Sequence, residues 1–221
     1  MNYTDKSENY FGNARHDLLG ILPDNPNARL LEIGAAGGYT LLAAKALGKC
    51  GYCAGIELFS LPGRAQEDPK IDAFYVGNIE KDTFPFEPEI FDVILFPDVL
   101  EHLVDPWAVL QQCTAWLKPG GICIISVPNF QFFKIVMKVF FGGDFAYAKD
   151  GIMDRTHLRF FCKPNAMSLA NTHPLMLSKI YSSFDLQNQW KLKWVNRLTL
   201  GLLRRFLTIQ FITLSVKEHV G

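Results

Sequence analysis

Short apolar runs alternate with amphipathic stretches along the first 130 residues. The runs "ARLLEIG" (28–34), "GYCAGIEL" (51–58), "IDAFYVGNI" (71–79), "FDVILFP" (91–97) and "ICIISVPN" (122–129) are bounded by Gly, Pro or Asn. They predict five strands. "FDVILFP" is apolar almost throughout, as a strand covered on both faces must be. Between the runs the period changes. "DLLGILP" predicts a short helix stopped by Pro23, and "GYTLLAAKALG" a helix ended at Gly48. "DPWAVLQQCTAWLKPGG" (105–121) predicts a third helix, capped by Asp105, opened by Pro106 and ended by Gly120 and Gly121.

Strand-helix alternation of this kind implies an α/β fold, doubly wound, with a mostly parallel sheet and helices on both faces. "LMLSKIYSSF" and "TIQFITLSV" predict strands six and seven. The pattern stops after Asn129, where residues 130–160 are rich in aromatics and read as an insertion or lid over the strand ends. Residues 1–25 read as a helical cover. Residues 187–206 read as one basic amphipathic helix before the last strand. All of this fits one domain over 1–221. In such sheets a ligand binds at the carboxyl ends of the strands.

Composition narrows the classes. Hydrophobic residues make up 49% of the 221-residue chain, which predicts a packed globular fold. The chain carries no apolar run long enough to cross a membrane and no apolar signal core in "MNYTDKSENY", so a cytoplasmic location is expected. The five cysteines are scattered, which argues against a disulfide framework. The "CGYC" pair, Cys50 and Cys53, leads into a strand and reads as inert. Neither a second such pair nor spaced histidines suggest zinc, and no metal site is expected. A net charge of zero hides an asymmetry. Residues 1–125 hold 9 basic and 17 acidic side chains, and residues 126–221 hold 13 and 5. The basic half suggests an anionic partner.

The stretch "LLEIGAAGGYT" carries the most chemistry. Small residues between a strand and a helix let a ligand approach the backbone and its free N–H groups. A dinucleotide loop would need a small residue at Tyr39, and a phosphate loop would need Gly-Lys-Ser/Thr; neither is present. Glu32 precedes the loop, where a carboxylate suits a cationic amino group. Glu57 ends the second strand, where it can accept bonds from both hydroxyls of a ribose. A ligand with an ammonium, a ribose and no phosphate is S-adenosylmethionine.

At this point residues 9–129 resemble the class I S-adenosylmethionine-dependent methyltransferases, a Rossmann-like fold, through "LLEIGAAGG", "GIEL", "GNIE", "FDVILFPDVLEHL" and "LKPGGICIISVPN". The resemblance implies that Gly34, Ala35, Ala36 and Gly38 form the glycine loop behind Glu32. It implies that Glu57 and Leu58 hold the ribose, that Asn78 and Ile79 flank the adenine, and that Phe96 and Pro97 lie beside the methionine part. Ala36 stands where glycine is usual and Asn78 where aspartate is usual. "NYFGNARHDLLGILP" and "GDFAYAKDGIMDRTHLRFF" resemble more narrowly a bacterial subgroup associated with cell-surface glycan assembly.

Methyl transfer to oxygen or nitrogen needs positioning and removal of a proton. His102 in "PDVLEHL" and His157 with Asp154 in "DRTH" are the candidate catalytic groups. Each has a structural alternative: His102 as a packing residue, and "DRTH" as an ion-pair lattice. Tyr10, Arg15, Tyr147 and Arg155 are candidate substrate contacts. The expected acceptor is a small molecule or a glycan, including lipid- or nucleotide-linked sugar precursors, and anionic. A quinone or other metabolite is one alternative, and a catalytically silent cofactor-binding module another. Trp190, Trp194, Leu198 and Leu202 recur at helical spacing beside Lys193, Arg197 and Arg204. That helix either lies on an anionic membrane, making the protein peripheral, or packs on the sheet as a roof. Nucleic acid is not expected, because "FPDV" lacks the arrangement that grips a planar base.

Overall fold

A computed structural model describes residues 12–187 and 189–219. Seven strands form one sheet: β1 (Arg29–Ile33), β2 (Tyr52–Glu57), β3 (Ala73–Val76), β4 (Phe91–Pro97), β5 (Leu117–Pro128), β6 (Leu175–Ser182) and β7 (Gln210–Lys217). Their order is β3-β2-β1-β4-β5-β7-β6. The first five pair in parallel, and β7 runs antiparallel to both β5 and β6. The order reverses at β1, between β2 and β4, which opens a crevice at the carboxyl ends of those strands.

Alternation along the strands divides the core. Leu31, Ile94, Phe96 and Ile125 face a layer built by α3 (Pro106–Trp116) and α5 (Lys163–Ala170). Leu30, Val93, Leu95 and Ile124 face α1 (His16–Leu19) and α2 (Tyr39–Ala46). A side-chain period of two, with both faces covered, explains why β4 is apolar throughout. Cys50 and Cys53 are buried in the second layer.

Two elements depart from the sequence expectation. The third helix ends at Trp116 rather than Gly120, and Leu117 already pairs with Phe91 in the sheet. Pro119 has no N–H to give and its ring would clash with the preceding turn, so the helix cannot continue through it. The Asp105 cap holds, accepting a bond of 3.0 Å from the Ala108 N–H. The basic stretch 187–206 is not one helix. It forms α7 (Trp190–Leu198) and α8 (Arg204–Leu207), broken where Leu200 and Gly201 adopt positive φ of 48° and 80°. The insertion begins with α4 (Phe133–Val136), which widens into a π-turn over Met137–Phe141 and then runs irregularly. Between β6 and α7 lies a one-turn helix, α6 (Ser183–Leu186).

Candidate active site

A cavity of about 600 Å³ lies over the carboxyl ends of β1, β2 and β4. Its floor is the loop after β1. Gly34, Ala36 and Gly38 all have positive φ, 72°, 46° and 83°. Gly34 is required twice: a Cβ there would also stand 2.2 Å from Val99 Cγ2. The N–H groups of Gly34 and Ala35 donate to the Ile56 carbonyl, tying the loop to β2. The Glu57 carboxylate ties it again. One oxygen accepts from the Ala36 N–H and the other from the Leu58 N–H, each at 2.8 Å. The Phe59 N–H bonds it as well, and since a carboxylate offers about four acceptor positions, room remains for a ribose hydroxyl. Burial raises the Glu57 pKa, against the pull of those amides.

Glu32 stands at the other side of the loop, 2% exposed. Thr40 joins it to the N-terminal segment: the Thr40 hydroxyl bonds Glu32 and accepts from the Arg15 N–H. Glu32 Oε2 is buried without a hydrogen-bond partner. An orphaned buried acceptor facing a cavity suits an ammonium, so these residues fit S-adenosylmethionine. Burial pushes the Glu32 pKa up to about 8. Between its ordinary value and 8, the folded state keeps a proton that the unfolded chain releases. Stability from this group is therefore present at low pH and declines as pH rises towards about 8. We expect thermal unfolding of the ligand-free protein to show this decline, and Glu32→Gln to flatten it. Cofactor affinity should climb from pH 6 to 7.5, because the ammonium favours ionised Glu32. Equal slopes in wild type and Glu32→Gln would refute the assignment.

The other residues sort by position. Ala35, Leu58, Asn78, Ile79 and Pro97 line the cavity. Asn78 Oδ1 accepts from the Glu80 N–H at 2.8 Å, so this oxygen also shapes the turn. Phe96 is fully buried in the core, because its neighbour Pro97 takes the outward position. Gly38 caps α2 and is not among the lining residues. Arg15 lines the cavity, but its guanidinium is met by Asp98 at 2.5 Å and by Asp17 at 2.9 Å. It therefore positions Asp98 rather than awaiting an anionic substrate. Asp98 has a φ of 56° and also accepts from Ser126 Oγ at 2.8 Å and Gln210 Nε2 at 3.0 Å. This network joins the N-terminal segment to β4, β5 and β7. Ser126, a polar residue inside an apolar strand, was its visible trace in the sequence.

His102 lines the cavity from a single 3-10 turn, Leu100–His102. Its ring packs edge-on against His157, with centroids 4.7 Å apart. His157 is buried behind it and outside the lining set. Asp154 is also buried, and its Oδ1 accepts from the N–H and hydroxyl of Thr156, which makes it a loop-shaping residue. Tyr147 and Arg155 are exposed on the insertion and outside the lining set. Tyr10 lies outside the described residues. Donor atoms of Glu101, His102 and His157 converge within 4.8 Å of one another, a grouping that no spacing in the sequence brings out. Burial raises Glu101 well above the carboxylate range, and nearby Asp98 adds to it.

Comparison with known proteins agrees with this geometry. Residues 7–192 match a family model described as a methyltransferase domain. The ubiquinone biosynthesis O-methyltransferase of Xanthomonas campestris is 30% identical over 118 residues, covering 52% of this chain and 49% of that protein. That of Cereibacter sphaeroides is 35% identical over 118 residues, covering 51% and 46%. The chain thus spans about half the length of the curated relatives it matches. Among solved structures, an S-adenosylmethionine-dependent methyltransferase from Mesorhizobium loti superposes with a TM-score of 0.64 at 15% identity, covering 93% of this chain and 99% of that one. Phosphoethanolamine N-methyltransferase 2 of Haemonchus contortus, in complex with S-adenosyl-L-methionine, superposes with a TM-score of 0.62 at 14% identity, covering 96% and 53%. At these identities the likeness is one of fold. By the family match, the sheet order and the carboxylate-flanked glycine loop, the chain belongs to the methyltransferase-domain family, the class I methyltransferases that use S-adenosylmethionine.

Proposed function

We propose that this domain methylates a hydroxyl oxygen on an amphiphilic, lipid-borne acceptor brought to the cavity at a membrane surface. S-adenosylmethionine supplies a methyl group on a sulfonium, reactive enough that orientation and exclusion of water supply much of the catalysis. Glu57 and Glu32 orient the two ends of the cofactor, the Pro97–Val99 turn borders its middle, and His102 stands in the cavity wall.

One observation carries the acceptor class. Two apolar, basic segments grow from the sheet edge that bears the cavity. Pro128, at the end of β5, pairs with Gln210, and Ser182, at the end of β6, pairs with Phe211. The insertion and the α7–α8 segment therefore leave the sheet on the same side as the carboxyl ends of β1, β2 and β4. Buried Asn129 joins them, its Nδ2 donating to the carbonyls of Arg205 and Thr208 at 2.7 Å each. Phe140 is 81% and Leu198 76% exposed, and Phe141, Met137, Trp190 and Trp194 are exposed too. Lys191, Lys193, Arg197, Arg204 and Arg205 accompany them, with no acid over 190–207. Exposed aromatics beside cations suit an anionic lipid surface. Among the described residues no helix is long and apolar enough to cross a membrane.

The names of the relatives, which concern O-methylation in ubiquinone biosynthesis, favour a phenolic hydroxyl on an isoprenoid lipid. A lipid-linked sugar shares the apolar tail and offers an alcohol in place of the phenol. Transfer of labelled methyl to a prenylated phenol, a lipid-linked sugar and a water-soluble nucleotide sugar tests the reading. We expect transfer to a lipid-borne acceptor, stimulated several-fold by anionic vesicles, and flotation of the protein with those vesicles. Preferred transfer to the soluble nucleotide sugar, without flotation, would overturn it.

A further inference from the structure

We infer that Glu101, His102 and His157 form a binding site for a first-row divalent transition-metal ion in the wall of the cofactor cavity. The first observation is a buried carboxyl group without a hydrogen bond. Glu101 is 1% exposed, and neither carboxylate oxygen makes a hydrogen bond. A carboxylate withdrawn from water needs a cation or hydrogen-bond donors to compensate. The second is convergence. Donor atoms of all three residues lie within 4.8 Å of one another, and His157 Nε2 is 4.0 Å from Glu101 Oε1. Ligands about 2.0–2.2 Å from one ion stand roughly 3–4 Å apart, so a small side-chain contraction closes the set.

The third observation is the support behind the two imidazoles. His102 Nδ1 lies 3.2 Å from the Thr156 carbonyl, and His157 Nδ1 lies 3.0 Å from the Ile152 carbonyl. A carbonyl only accepts, so these bonds place a proton on Nδ1 of each ring and leave Nε2 as the nitrogen that ligates when the ring is neutral. Backbone carbonyls fix metal-ligating histidines in this way. The backbone is fixed in turn. Asp154 holds Thr156 through two bonds, and the Glu101 carbonyl accepts from the N–H groups of Leu158 and Arg159. The "DRTH" stretch is therefore a rigid clamp that delivers His157 to Glu101. Two imidazoles and one carboxylate suit Zn²⁺, Mn²⁺, Fe²⁺ or Co²⁺ better than the all-oxygen preference of Ca²⁺ or Mg²⁺. Three protein ligands leave positions for water or, if the methyl-transfer reading holds, for an acceptor oxygen; the binding itself does not depend on that reading.

Titration of chelator-stripped full-length protein with Co²⁺ and Zn²⁺, followed by Co²⁺ visible absorption and by calorimetry, tests the site. We expect one equivalent bound at micromolar affinity, with d–d bands of a site containing imidazole. Glu101→Gln and His157→Gln should each weaken binding at least tenfold, with thermal unfolding confirming that the variants fold. Should either variant fail to fold, imidazole signals shifted by Co²⁺ in the proton spectrum of wild type decide the question. Absence of binding below about 1 mM in wild type, or binding unchanged in both folded variants, would overturn the proposal.

Discussion

Glu57→Ala is expected to lower affinity for S-adenosylhomocysteine by about a hundredfold. A hydrogen bond from a ribose hydroxyl to a charged carboxylate contributes about 1.5–3 kcal/mol, the upper end of which is roughly a factor of 100. The substitution also releases the Ala36 N–H, now held at 2.8 Å, and with it the shape of the loop beneath the cofactor. Glu57→Gln keeps one acceptor oxygen and should lose about half of this free energy. Calorimetric titration measures the affinities, and thermal unfolding checks that the variants fold. Unchanged affinity in Glu57→Ala would remove the ribose from Glu57, and with it the orientation of the cofactor in the cavity.

Gly34→Ala should strongly destabilise the protein. The new Cβ would meet Val99 Cγ2 at 2.2 Å, and the residue would sit at a φ of 72°. The overlap costs about 1–3 kcal/mol and the left-handed backbone about 1–2 kcal/mol. A loss of about 3 kcal/mol lowers Tm by roughly 6–12 °C in a chain of this length. Cofactor binding should fall as well, since Val99 and Gly34 both line the cavity. Val99→Ala removes the clashing Cγ2, so the double variant should recover the steric part and keep the backbone part. Denaturant unfolding of the four proteins measures this coupling. Strict additivity of the two substitutions would show that the loop and the β4 turn do not meet as described.

These expectations rest on residues that local sequence made legible. Glu32, Gly34 and Glu57 announce themselves because strand ends and turns are written in neighbouring residues: an apolar run, then small residues, then a helix period. Strands β1 to β5 are legible for the same reason, and the family match over residues 7–192 agrees with that reading. Where a local rule was weighed wrongly, the boundary moved. Gly120 and Gly121 drew the end of α3 too far along, although Pro119 already forbade it.

The alternation of apolar runs and helix periods by itself determined the layered parallel sheet, the loop under the cofactor and the acid beside it, because each depends on contacts within a few residues. Only the tertiary structure decided what meets across the chain. Asp98 bonds Arg15, Ser126 and Gln210, contributed by three distant segments. His157 reaches Glu101 because the insertion returns to hydrogen-bond the Glu101 carbonyl. The two exposed basic segments share the cavity's sheet edge because β7 reverses the direction of the sheet. Such meetings are set by strand order and by the path of a long insertion, and neither leaves a period in the sequence.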